Sequence, residues 1–138
     1  MKPYLTRWRL ILPSVLFGLA ACSPSAAPPK AVHCASIQHG CRFEMGGNPL
    51  ELRLSRAPGS MAPFDVMVHA PKARSVTAAF QMEGMDMGDI RYRLNRGADD
   101  WWHGTVRLPL CVTGQSNWQL TLDVDGTQAN IPFALGKP

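Results

Sequence analysis

Along most of the chain, apolar residues recur at every second position. Leu50, Leu52 and Leu54 alternate with Glu51, Arg53 and Ser55, and Phe64, Val66 and Val68 alternate with Asp65, Met67 and His69. Val76, Ala78, Phe80 and Met82 share one face, as do Ile90, Tyr92 and Leu94 opposite Arg91 and Arg93. Trp118, Leu120, Leu122 and Val124 stand opposite Gln119, Thr121 and Asp123, and Ile131, Phe133 and Leu135 resume the pattern after Asp125-Gly126. Side chains along a strand point to opposite faces in turn, so a period of two marks half-buried strands. No long segment carries the period of an amphipathic helix. Asp-Gly suits a two-residue hairpin turn. With residues 42–45 and 101–108 added, the pattern predicts about eight short strands separated by Gly, Pro, Asn and Asp. One apolar face per strand suits two antiparallel sheets packed face to face. The expected fold is therefore all-β: an immunoglobulin-like antiparallel sandwich of about seven to eight strands.

The N-terminus departs from this pattern. Lys2, Arg7 and Arg9 precede an apolar run from residue 10 to residue 21, which ends in Leu19-Ala20-Ala21-Cys22. A basic start, a short apolar run and small residues before a cut site describe a secretory signal. The run is shorter than the roughly 20 residues that span a bilayer. Leu-Ala-Ala-Cys resembles a bacterial lipobox, which implies cleavage before Cys22 and lipid on its thiol. Residues 1–21 are thus expected to be a signal peptide. Residues 22–32, rich in Ser, Pro and Ala, are expected to form a flexible tether, and residues 33–138 a single small domain. Ser23 resembles the outer-membrane sorting signal, so the expected location is the outer membrane, facing the periplasm, with the membrane itself as one partner through Cys22.

This reading changes the charge. The whole chain has 14 Lys and Arg against 10 Asp and Glu, a net +4. Loss of Lys2, Arg7 and Arg9 leaves 11 against 10, a net +1. No case for a nucleic-acid partner follows from so small an excess.

The most unusual local sequence is Phe80-Gln81-Met82-Glu83-Gly84-Met85-Asp86-Met87-Gly88, which holds three of the seven methionines. Met often fills gaps in cores, and Met82 continues the apolar face of its strand. Met85 and Met87 lie between two glycines beside Glu83 and Asp86, in what reads as an exposed turn, where function tends to reside. Thioether sulfur is a soft, uncharged ligand that selects Cu(I). If every strand reverses direction, Met61, Met82, Met85, Met87 and Cys111 share one end of the sandwich, flanked by His33 and His39. His69 and His103 then fall towards the other end, and Trp101-Trp102-His103 reads as a partly buried strand start.

An exported compartment favours disulfides. With Cys22 lipidated, Cys34, Cys41 and Cys111 remain, and one is left over in any pairing. Cys34–Cys41 is preferred, closing a small loop. Cys41–Cys111 and Cys34–Cys111 stay open. A free Cys111 is either a buried thiol or a thiolate assisting a Cu(I) site. The absence of a Cys-x-x-Cys motif argues against a thioredoxin-like oxidoreductase.

Met82-Glu83-Gly84-Met85-Asp86-Met87-Gly88, with Arg91-Tyr92-Arg93-Leu94 and Leu108-Pro109-Leu110-Cys111-Val112, resembles segments of the small exported FixH/YtkA-like proteins. The likeness is nearer to proteobacterial lipoproteins that share the Met turn and a Leu-Pro-x-Cys segment, and it spans roughly residues 34–134. It implies an immunoglobulin-like fold and a part in copper handling, often near assembly of haem–copper respiratory oxidases. Carried over residue by residue, the motif positions are Met82, Met85 and Met87. FixH itself spans the membrane, whereas this chain carries a lipid-anchor signal.

The expected function is Cu(I) binding by a membrane-anchored envelope lipoprotein that buffers copper or delivers it to a copper-handling or oxidase-assembly partner. The alternative is a metal-free interaction module whose Met and aromatic surface docks another envelope protein. No nucleophilic elbow, catalytic carboxylate pair or zinc-type His spacing is visible, and no enzymatic activity is expected.

Overall fold

The structure, a computed structural model, describes residues 27–56, 62–85, 88–109 and 117–134. Among these, ten strands form two five-stranded sheets. They are β1 (Lys30–Ala31), β2 (Cys41–Met45), β3 (Asn48–Leu54), β4 (Phe64–His69), β5 (Val76–Met82), β6 (Ile90–Arg93), β7 (Asn95–Arg96), β8 (Trp101–Val106), β9 (Asn117–Val124) and β10 (Thr127–Ala134). One sheet has the order β1-β10-β9-β5-β6 and the other β2-β3-β4-β8-β7. Every pairing is antiparallel except β1 with β10. The arrangement is an immunoglobulin-like sandwich in which consecutive strands cross repeatedly between the sheets.

The alternating pattern determines which side chains fill the space between the sheets. Leu52, Val66, Val68, Val76, Ala78, Phe80, Leu120, Leu122 and Ile131 are buried, each contributed by the apolar face of its strand. Phe80 sits at the centre of an aromatic group. Its ring meets Phe64, Tyr92 and Phe133 edge-on, at centroid separations of 6.2, 6.2 and 6.1 Å. Edge-to-face contacts of this kind add roughly 0.5–1.5 kcal/mol beyond the burial of area. The Asp125-Gly126 hairpin forms as expected, with φ of 51° and 87°, the left-handed values that a two-residue turn of this type requires.

Two elements exceed the expected eight strands, and both are two residues long. β1 lies on the edge of β10, inside the segment read from sequence as tether. β7 arises because the strand expected over residues 90–94 changes sheets. Residues up to Arg93 pair with β5, and Asn95 and Arg96 pair with β8 of the other sheet. Leu94 makes the crossing and is buried at 1% exposure. Gly104 of β8 leaves the room: a Cβ there would lie 2.5 Å from Leu94 Cδ2.

Strand direction sets out the two ends. β5 ends at Met82, beside the start of β9, and β6 starts at this same end. Phe64 at the start of β4 pairs with Val106 at the end of β8 and packs against Phe80. The phenol of Tyr92 donates to Arg107 O at 3.1 Å, tying β6 to the chain leaving β8. The connections β1–β2, β3–β4, β5–β6 and β8–β9 therefore all open at one end. The hairpin turns β2–β3 and β9–β10 lie at the other.

Candidate functional site

The Met turn grows directly out of the core. β5 brings Met82 opposite Trp118 of β9, and both are buried, at 4% and 1% exposure. The Trp118 indole N–H has no hydrogen-bond partner among the described residues. Beyond Met82 the chain leaves the sheet. The Glu83 amide donates to Asn117 O at 3.0 Å and the Met85 amide to Met82 O at 3.4 Å. Gly84 and Gly88 have φ of 77° and 75°, left-handed conformations that glycine adopts without steric cost. The chain can thus turn sharply twice and re-enter the sheet at Ile90, paired with Phe80.

Met85 is placed differently from the expectation of a residue standing clear of the core. It is half-buried and packs against the hydrophobic core. The physical reason is the tightness of the turn, which folds Met85 back over the end of the sandwich. As a result Met82 and Met85 line one shallow depression of about 400 Å3, shared with Gln81, Glu83, Gly84 and Gln119. Its residues include no cationic one; the Met82 side chain belongs to the buried face of β5, while Gln81 and Gln119 stand on the other face. The half-buried Met85 thioether beside Glu83 is a donor chemically compatible with a soft cation. Met61, Met87 and Cys111, expected at the same end, lie outside the described residues, as does Cys22. The strand ends flanking Met61 and Cys111 do open at the end where β5 finishes.

Cys34 and Cys41 form a disulfide, with Cα atoms 5.4 Å apart. It sits at the start of β2, an edge strand separated from β4 by β3. His33 and His39 lie on a connection that opens at the same end as the Met turn, and strand order sets how far across that end they stand. Both are exposed, on the segment joining β1 to β2, and β10 and β9 intervene between β1 and β5. Up-and-down alternation assigns an end to each connection but says nothing of position across the sheet. His39 Nδ1 instead meets Ser36 Oγ at 2.8 Å. His69 and His103 lie on β4 and β8, away from the turn. Trp101 is half-buried and Trp102 buried, as a partly covered strand start requires.

Among the described residues, no group of three or more His, Cys, Asp or Glu is placed to hold a metal ion. A more enclosed hollow of about 280 Å3 opens at the opposite end, beside Met45, Leu50, Ala73, Val124 and Lys72. Its one thioether and its lysine suit a soft cation less well than the depression at the turn. Among the described residues no helix is long and apolar enough to cross a membrane. Compared with protein-family models, curated proteins and solved structures, the chain matches none.

Proposed function

We propose that this chain is a lipid-anchored envelope protein that binds Cu(I) at the Met turn and buffers copper or hands it on. The observation that carries the reading is the depression lined by Met82 and Met85, with Glu83 and without a cationic side chain. Met82 and Met85 lie three residues apart on one tight turn, which would lower the entropic cost of bringing their sulfurs to one ion. Met87, two residues on, is the candidate third ligand, and Met61 and Cys111 belong to connections that open at the same end. Thioethers bind without losing a proton, so capture requires no deprotonation. Lipid on Cys22, joined to the domain by the residues before β1, would hold the site near a membrane, within reach of a copper-handling or oxidase-assembly partner.

The test is competition for Cu(I) against a chromophoric chelator, under reducing conditions, with the full chain purified in detergent. The chain should withdraw Cu(I) from the chelator, and the Met82→Leu/Met85→Leu/Met87→Leu variant should not. Equal competition by the variant would overturn the reading.

A further inference from the structure

The outward face of the β2-β3-β4-β8-β7 sheet brings together a second set of soft donors. On β4 the outward row is Asp65, Met67 and His69; on β8 it is Trp101, His103 and Thr105. The register sets Met67 directly opposite His103 and His69 opposite Trp101. Residues directly opposed across antiparallel strands have Cβ atoms about 5 Å apart. A thioether and an imidazole on such a pair are close enough to reach one ion between them.

The surroundings fit this use. Met67 and His103 line one shallow depression of about 420 Å3, together with Trp101, Ala98, Asp99 and Arg53. Met67 is half-buried on a row whose neighbours, Asp65 and His69, are polar. The His103 ring lies against Gly97, where a Cβ would come within 3.0 Å of His103 Cδ2. Glycine at that position leaves the space that the ring occupies. The charge of Arg53 is matched locally, because its guanidinium pairs with Glu51 and lies over the Trp101 ring at 5.4 Å. Asp99 adds a carboxylate to the same lining. Both ligand-bearing strands are held in register by the sheet, so little order is lost on binding.

We infer that Met67 and His103 form a second binding site, for a soft monovalent cation of the Cu(I) and Ag(I) class. It uses the imidazole and thioether preferences of these ions and does not rest on the Met turn. The experiment is an Ag(I) titration of the full chain in detergent, labelled at methionine methyl groups and histidine rings and followed by NMR. The Met67 methyl and the His103 ring signals should shift together. In Met67→Leu, a nearly volume-conserving change, the His103 response should weaken by at least about tenfold. In His103→Gln the Met67 response should weaken likewise. In Met82→Leu/Met85→Leu/Met87→Leu both should persist. Overturning results are a His103 response that survives unchanged in Met67→Leu, which marks a lone surface imidazole, or a Met67 methyl that does not move. If only the turn methyls respond, this inference fails and the turn reading stands; if only Met67 and His103 respond, the turn reading fails.

Discussion

At the scale of single residues, a few side chains determine local geometry that their neighbours rely on. The Asp125 carboxylate accepts hydrogen bonds from the amides of Arg74 and Ser75, at 3.0 and 2.8 Å, and from the Ser75 hydroxyl at 3.2 Å. The Arg74 amide is the main cause of a pKa held below the ordinary 3.8, followed, against the opposing effect of burial, by the two Ser75 groups. A folded pKa below the unfolded one means that this stabilisation is complete above the ordinary value and is lost as pH falls through the depressed one. Asp125→Asn should therefore lower the thermal midpoint at pH 7 and flatten its decline in acid. An identical decline in the variant would show that other groups are responsible. Gly104 is a second such position. Gly104→Ala would drive a methyl into Leu94, a buried side chain with little room to move. The expected cost is about 1–3 kcal/mol in denaturant unfolding. Adding Leu94→Val should recover part of it, because the two positions share one volume.

At the scale of elements, the turn after β5 and the disulfide before β2 solve different problems. The turn must hold Met82 and Met85 while closing a hairpin, and left-handed Gly84 and Gly88 permit it. Met82→Leu alone, a change of shape at nearly constant volume, should cost under about 1.5 kcal/mol. Loss of Cu(I) capture in the triple variant would then report lost ligands and not an unfolded chain, which a preserved unfolding transition checks. The Cys34–Cys41 bridge closes a short loop across a separation of seven residues. Constraining so short a loop in the unfolded chain contributes about 2–3 kcal/mol in the chain-entropy account. Cys34→Ser/Cys41→Ser should move the urea midpoint down by a corresponding amount. Cu(I) capture at the Met turn should be unchanged, because β2 and β5 belong to different sheets and the bridge sits on an edge strand.

At the scale of the whole molecule, the sandwich separates its soft donors. One set lies at the end where the β5–β6 connection opens, and the other on the outward face of β4 and β8. A lipid on Cys22, followed by a short tether, would keep the domain close to the bilayer. Cys22→Ala should then move the protein from the membrane fraction to the soluble fraction, read by ultracentrifugation and blotting, with the unfolding transition unaltered. Retention of the variant in the membrane fraction would argue against anchoring through this residue.

The alternation of apolar and polar residues was enough to name the buried face of nearly every strand, the Asp125-Gly126 turn and the sandwich class. That information is local: it depends on which face each residue presents, and each residue's neighbours at two positions' distance declare it. The Met turn was legible for the same reason, as three thioethers and two glycines within seven residues. Strand order and register were not. His33 and His39 share an end with the turn, but their place across it, with β10 and β9 between β1 and β5, depends on which edges find each other. The β6–β7 crossing needed the vacancy at Gly104, ten residues from the Leu94 that fills it. Met67 and His103 lie 36 positions apart and meet only because β4 and β8 pair in one register. Pattern along the chain determined which side chains face inward; long-range packing between sheets alone decided which donors come to lie side by side.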